Sequence, residues 1–119
     1  MKKIATISIL FVLYAAYSGW VYTTGTDYVK PMEVAAIRGK AIWHNKNCQN
    51  CHQLYGLGGY MGPDLTTVTT DRTRGVPYVR GILMHGTARM PNYHFSEKSV
   101  EDVIAYLSYV NITSATIAK

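Results

Sequence analysis

The sequence predicts an all-α protein, with one helix long enough to cross a membrane followed by a small helical domain. Three observations carry this. Ile4 to Tyr22 contains no Asp, Glu, Lys, Arg or His. Two later segments repeat apolar residues at helical spacing. No segment sustains the period-two alternation of a strand. The 119 residues suffice for one ordinary domain and not for two, and no internal repeat is visible.

As a helix, Ile4–Tyr22 covers roughly 28 Å, close to the hydrocarbon thickness of a bilayer. A cleaved signal peptide is the rival reading, but its apolar region is shorter and ends at a small-x-small site. Tyr14, Tyr17, Trp20 and Tyr22 occupy that zone instead, and Trp20 and Tyr22 suit a membrane–water interface. Lys2 and Lys3 precede the span, which places them on the cytoplasmic side and the rest of the chain outside. The anchor is therefore residues 1–25. Residues 26–32 form a connector broken by Pro31, and the helical domain occupies residues 33–119.

Glu33 behind Pro31 opens the first domain helix. Val34, Ile37 and Ala41 share a face, and the helix is expected to reach about Cys48. Gly56, Gly58, Gly59, Gly62 and Pro63 mark loops. Tyr78–His85 reads as a short helix after Pro77. Ser96 or Ser99 can cap a last helix striped by Val100, Val103, Ile104, Leu107 and Val110. Gly39 in the first domain helix and Tyr106 in the last are matched for a close crossing, the glycine admitting the ring. Asn111-Ile112-Thr113 fits a glycosylation sequon and is read as chance.

Composition narrows the function. Charged residues are 16% and hydrophobic ones 48% of the chain, against about a quarter charged on average, which argues against a disordered chain. The net charge of +5 is scattered. No basic run tracks a phosphate backbone, so no nucleic-acid partner is expected. Two cysteines cannot build a disulfide framework.

Cys48-Gln49-Asn50-Cys51-His52 is the C-x-x-C-H pattern of c-type haem attachment. Two thiols three residues apart can each add to one vinyl group on a haem edge, and the adjacent imidazole then reaches the iron. A thioredoxin-like pair would need a βαβ context, and a structural zinc site a second close Cys or His pair; the sequence shows neither. One covalent haem c is the expected cofactor. The candidates for the sixth iron ligand are Met61, Met84, His85, Met90 and His94. Met90 is favoured because Pro91 follows it in an irregular segment, and a histidine–thioether pair is common in electron transfer. His85 is the runner-up. Trp43 suits either the haem edge or the core. Arg72, Arg74 and Arg80 suit either the haem propionates or a solvated surface.

In their order, Gly39-Lys40-Ala41-Ile42-Trp43, Asn47–His52, Gly56–Leu65, Arg72-Thr73-Arg74-Gly75, Arg89–Tyr93 and Tyr106-Leu107 resemble the membrane-anchored cytochrome c subunit of nitric oxide reductase, within the haem-copper oxidase superfamily. The resemblance implies an N-terminal transmembrane helix followed by a class I c-type cytochrome domain, with haem on Cys48 and Cys51 and with His52 and Met90 as axial ligands. It implies a single-pass protein of the bacterial inner membrane whose cytochrome domain lies in the periplasm or on the outer face. This domain would pass electrons from a soluble donor, a cytochrome c or cupredoxin, to a polytopic catalytic subunit that reduces nitric oxide to nitrous oxide. The chain would make no bonds itself. The family's longer Trp-Pro-containing tail has no counterpart before Lys119. Other expectations stay open: a subunit of an oxygen-reducing relative, a free-standing anchored cytochrome, or a peroxidase-like or gas-sensing haem protein with an open sixth position.

Overall fold

The computed structural model describes residues 2–24 and 30–117, so most of the expected connector lies outside the described residues. The chain divides into two compact units between Lys30 and Pro31. The first holds helix α1, Lys2–Thr24, whose side chains from Lys3 onward are almost all exposed. It is long and apolar enough to cross a membrane. At its C-terminal end the Thr23 and Thr24 hydroxyls donate to backbone carbonyls one turn back, which hides two polar groups from an apolar surrounding.

The second unit is a helical shell. Helix α2 spans Val34–Asn45, α3 spans Val76–His85 and α4 spans Glu97–Ile117. A two-stranded hairpin, β1 (Gln53–Leu54) and β2 (Leu57–Gly58), and two short 3-10 turns lie between α2 and α3. The hairpin is an addition to the loops expected from sequence. Its turn residues Tyr55 and Gly56 both have positive φ, 55° and 75°, as a type I′ hairpin requires. The Tyr55 hydroxyl ties it to α4 at the Val110 carbonyl and Thr113.

The α2–α4 crossing holds the domain together. A β-carbon on Gly39 would collide with the backbone carbonyl of Asp102 and approach Tyr106 Cβ to 2.9 Å, so the close crossing is present, but what the glycine admits is the α4 backbone at Asp102 and the Tyr106 Cβ rather than the expected ring. Beside it, Arg38 donates from Nε and Nη2 to Asp102 at 2.8 and 2.6 Å. Asp102 is only 5% exposed, and this bidentate partner satisfies its buried charge. The pair was not legible in the apolar stripe of α4, which it interrupts. Ala36, Trp43, Val100, Val103, Ile104, Leu107 and Val110 pack around the crossing.

Boundaries shift for local reasons. Helix α2 stops at Asn45, before the expected Cys48, because Asn47 takes a left-handed φ of 54°. Helix α3 starts two residues before Tyr78, with Pro77 in its first turn, where a missing N–H costs nothing. Ser96 caps α4, its hydroxyl accepting from the Ser99 N–H at 3.2 Å. Asn111 sits within α4 and donates to Thr70 Oγ1 at 3.1 Å.

Candidate haem site

The left-handed Asn47 lets Cys48 begin a fresh 3-10 turn, Cys48–Asn50. The Cys48 carbonyl accepts from the N–H groups of both Cys51 (3.2 Å) and His52 (2.9 Å). This one tight turn brings both thiols and the imidazole to a single cavity of about 800 Å³, which all three line. The chain then wraps around the motif: Gly59 N donates to Gln49 O at 2.8 Å, and Gly62 N to Cys51 O at 2.7 Å.

His52 is held on two sides. Its Nδ1 lies 2.9 Å from the Pro63 carbonyl oxygen. A carbonyl only accepts, so this contact assigns the proton to Nδ1 and leaves the Nε2 lone pair for a metal. A β-carbon on Gly62 would lie within 2.6 Å of Nδ1 and within 3.0 Å of Nε2, so only glycine lets the backbone pass this close to the ring. The Trp43 ring stands 6.3 Å from that of His52 and 6.1 Å from that of Tyr106, and Trp43 is buried.

Apolar side chains make the walls: Leu65 and Val68, then Val79, Ile82 and Leu83 of α3, then Val103 and Leu107 of α4. Met90 lines the same cavity from the segment joining α3 to α4; it is half-buried and packs against the core. The lining residues include Arg74 and Arg89 and no Asp, Glu or Lys. No disulfide joins the two cysteines. Burial pushes the Cys48 thiol up from its ordinary value, the opposite of the shift that activates the thiolate of a disulfide oxidoreductase.

The other residues singled out from sequence are distributed unevenly. Arg74 reaches the cavity, whereas Arg72 is exposed and is not among its lining residues. The Asp71 carboxylate accepts from the N–H groups of Thr73 and Arg74 at 2.7 and 2.9 Å, turning the chain between the two arginines. Arg80 instead pairs with Glu101 at 2.7 Å. Met61 lines the cavity but is 78% exposed. Met84 packs on the core, and Met84, His85 and His94 are not among the lining residues. Sequence reading missed Arg89 and Thr87. Arg89 entered only as part of the resembling segment Arg89–Tyr93, and Thr87, three residues before Met90, carried no signal.

The residues fit a haem. The cavity is of cofactor size, whereas close-packed interiors contain few voids larger than a water. Its donor set is two thiols, one oriented imidazole and two thioethers, the half-buried Met90 and the largely exposed Met61, in an apolar shell with two cations for two propionates. Among the described residues, no group of three or more His, Cys, Asp or Glu is assembled as for a zinc site.

Fold and site together define a c-type cytochrome domain. Residues 34–107 match the family described as cytochrome c oxidase, cbb3-type, subunit III, and the chain belongs to that family. Membership implies haem c. The chain is also similar to proteins named as the C subunit of nitric oxide reductase, in keeping with the resemblance read from its motifs. The one from Stutzerimonas stutzeri is 32% identical over 89 residues, 67% of this chain and 61% of that relative. The one from Halomonas halodenitrificans is 24% identical over 115 residues, 87% of this chain and 77% of the relative. A third, from Cereibacter sphaeroides, is 44% identical over 34 residues, 29% of this chain and 23% of the relative.

Proposed function

We propose that the chain is the membrane-anchored, mono-haem cytochrome c subunit of a bacterial nitric oxide reductase. In this reading it takes single electrons from a soluble cytochrome c or cupredoxin and passes them to a polytopic catalytic subunit, making no bonds itself. The observation that carries the reading is one apolar cavity lined by Cys48, Cys51, His52 and Met90 together. Cys48 and Cys51 would hold the haem through two thioether bonds, and His52 Nε2 and Met90 Sδ would ligate its iron. When bound, the haem supplies a one-electron iron couple whose potential the axial thioether raises.

The chain's own residues do the rest. Pro63 and Gly62 keep the His52 ring in one tautomer and one orientation. The walls from α3 and α4 exclude water. Arg74 and Arg89 are the cations available to the propionates. Residues 1–25 anchor the domain, with Lys2 and Lys3 on the cytoplasmic side and residues 33–119 in the periplasm. The anchor replaces a three-dimensional search for the catalytic partner with a high local concentration.

A second reading, a subunit of an oxygen-reducing relative, is favoured by the description of the matching family. Purifying the tagged chain in mild detergent separates the two. A stoichiometric polytopic subunit that consumes nitric oxide supports the proposal. A partner that reduces oxygen and leaves nitric oxide untouched favours the second reading, and a chain that purifies alone contradicts both.

A further inference from the structure

Met90 lies in a segment without regular structure between α3 and α4, yet both of its backbone groups are held by one residue. The Thr87 N–H donates to the Met90 carbonyl at 2.8 Å. The Met90 N–H donates back to Thr87 Oγ1 at 3.0 Å, and the Arg89 N–H to the same oxygen at 3.3 Å. Pro91, which follows, has no N–H to add. Gly86 closes the far side of this four-residue loop with φ at 71°, and a β-carbon there would lie 2.9 Å from the Met90 oxygen and 2.8 Å from the Asn92 nitrogen. Left-handed φ and this close approach both require glycine.

A flexible methionine side chain on an irregular loop would ordinarily sample many positions. Fixing the backbone N–H and C=O of Met90 at once removes the loop's share of that freedom before any ligand is met. We infer that Thr87 is a positioning residue, whose hydroxyl and N–H hold Met90 so that its thioether is presented to the haem iron. The inference rests on the axial role proposed for Met90. It assigns Thr87 no contact with the iron and no part in moving electrons. The hydroxyl is the element that can be removed selectively, because valine keeps the β-branched shape and the backbone N–H while losing the acceptor for two donors.

The test is an imidazole titration of the haem-loaded full chain in detergent, with iron in the ferric state. It follows the weak far-red charge-transfer band that a thioether gives with ferric haem. Imidazole competes with the internal ligand, so a less restrained Met90 is displaced at lower concentration. Thr87→Val should keep the band but bind imidazole about tenfold more tightly, the effect of a hydrogen bond or two lost from the ligand loop. Thr87→Ser, which restores the hydroxyl, should return to within about twofold of the natural chain. Gly86→Ala, which pushes on the Met90 carbonyl from the other side, should shift affinity in the same direction as Thr87→Val and serves if that variant does not accumulate with haem. Met90→Ala should lack the band altogether. Natural imidazole affinity in Thr87→Val, or in Gly86→Ala where it stands in, overturns the positioning role if Met90→Ala has lost the band. A Met90→Ala protein that keeps the band shows instead that the axial assignment is wrong, and the positioning role falls with it.

Discussion

Gly39 and Gly81 are both helical glycines, and replacing each with alanine should move stability in opposite directions. Alanine gains about 0.5–1 kcal/mol over glycine within a helix. At Gly81, on α3, a new β-carbon meets nothing within 4 Å, so that gain should stand alone. At Gly39 the new carbon would run into the backbone carbonyl of Asp102 and come within 2.9 Å of Tyr106 Cβ. A backbone carbonyl cannot swing aside as a side-chain tip can. Relief requires α2 to lift off α4, loosening the packing of Ala36, Trp43 and Val103 and stretching the Arg38–Asp102 bonds. Overpacking of this kind costs about 1–3 kcal/mol and occasionally more. With an immovable obstacle the upper end applies, which leaves Gly39→Ala less stable by about 2 kcal/mol after the propensity gain. In a unit of this size each kcal/mol moves Tm by roughly 4–8 °C, so the two variants should melt roughly 10–25 °C apart. The assay is thermal unfolding of both haem-loaded full chains in one detergent, followed by helical circular dichroism. A Gly39→Ala protein melting within about 2 °C of the natural chain would refute the close crossing.

Two further outcomes follow from the same geometry. The hydrogen bonds from Arg38 hold the Asp102 carboxyl below the usual carboxylate range, so the folded state binds fewer protons than the unfolded one in acid. The stability from this pair is complete above about pH 4 and is lost as pH falls through the lowered folded value. Chemical unfolding midpoints measured across acid pH should therefore fall less steeply in Asp102→Asn, while the acid dependence from Asp71, held low by Thr73, persists. Met90→Ala should keep its haem but show a lower midpoint potential in a redox titration, because a thioether opposite histidine raises the potential; an unchanged midpoint contradicts the axial assignment.

Much of this architecture was legible because its causes are local. An ion-free run of membrane length, a C-x-x-C-H pentapeptide and the stripe from Val100 to Val110 each state their role without help from distant residues. Gly39 and Tyr106 could be matched because a glycine opposite a large ring on two apolar helices has few other uses. What escaped depended on tertiary contact or on unusual backbone. The break before Cys48 rests on a left-handed asparagine inside a helix-friendly run. The hairpin turns on Tyr55, a residue that seldom takes positive φ. Asp102 reads as a surface acid until Arg38, 64 positions away in sequence, is brought against it. Thr87 carries no motif and Arg89 was read only as the start of the segment Arg89–Tyr93, and only the folding of the α3–α4 segment brings them to the cavity.

The most direct test of the whole account is denaturing electrophoresis under reducing conditions with haem staining, followed by the intact mass of the stained band. The account predicts pigment that stays with the chain, a mass increased by one haem, and loss of both in the Cys48→Ser, Cys51→Ser double variant. Pigment extracted into acidic organic solvent, or retained when both cysteines are replaced, would contradict it.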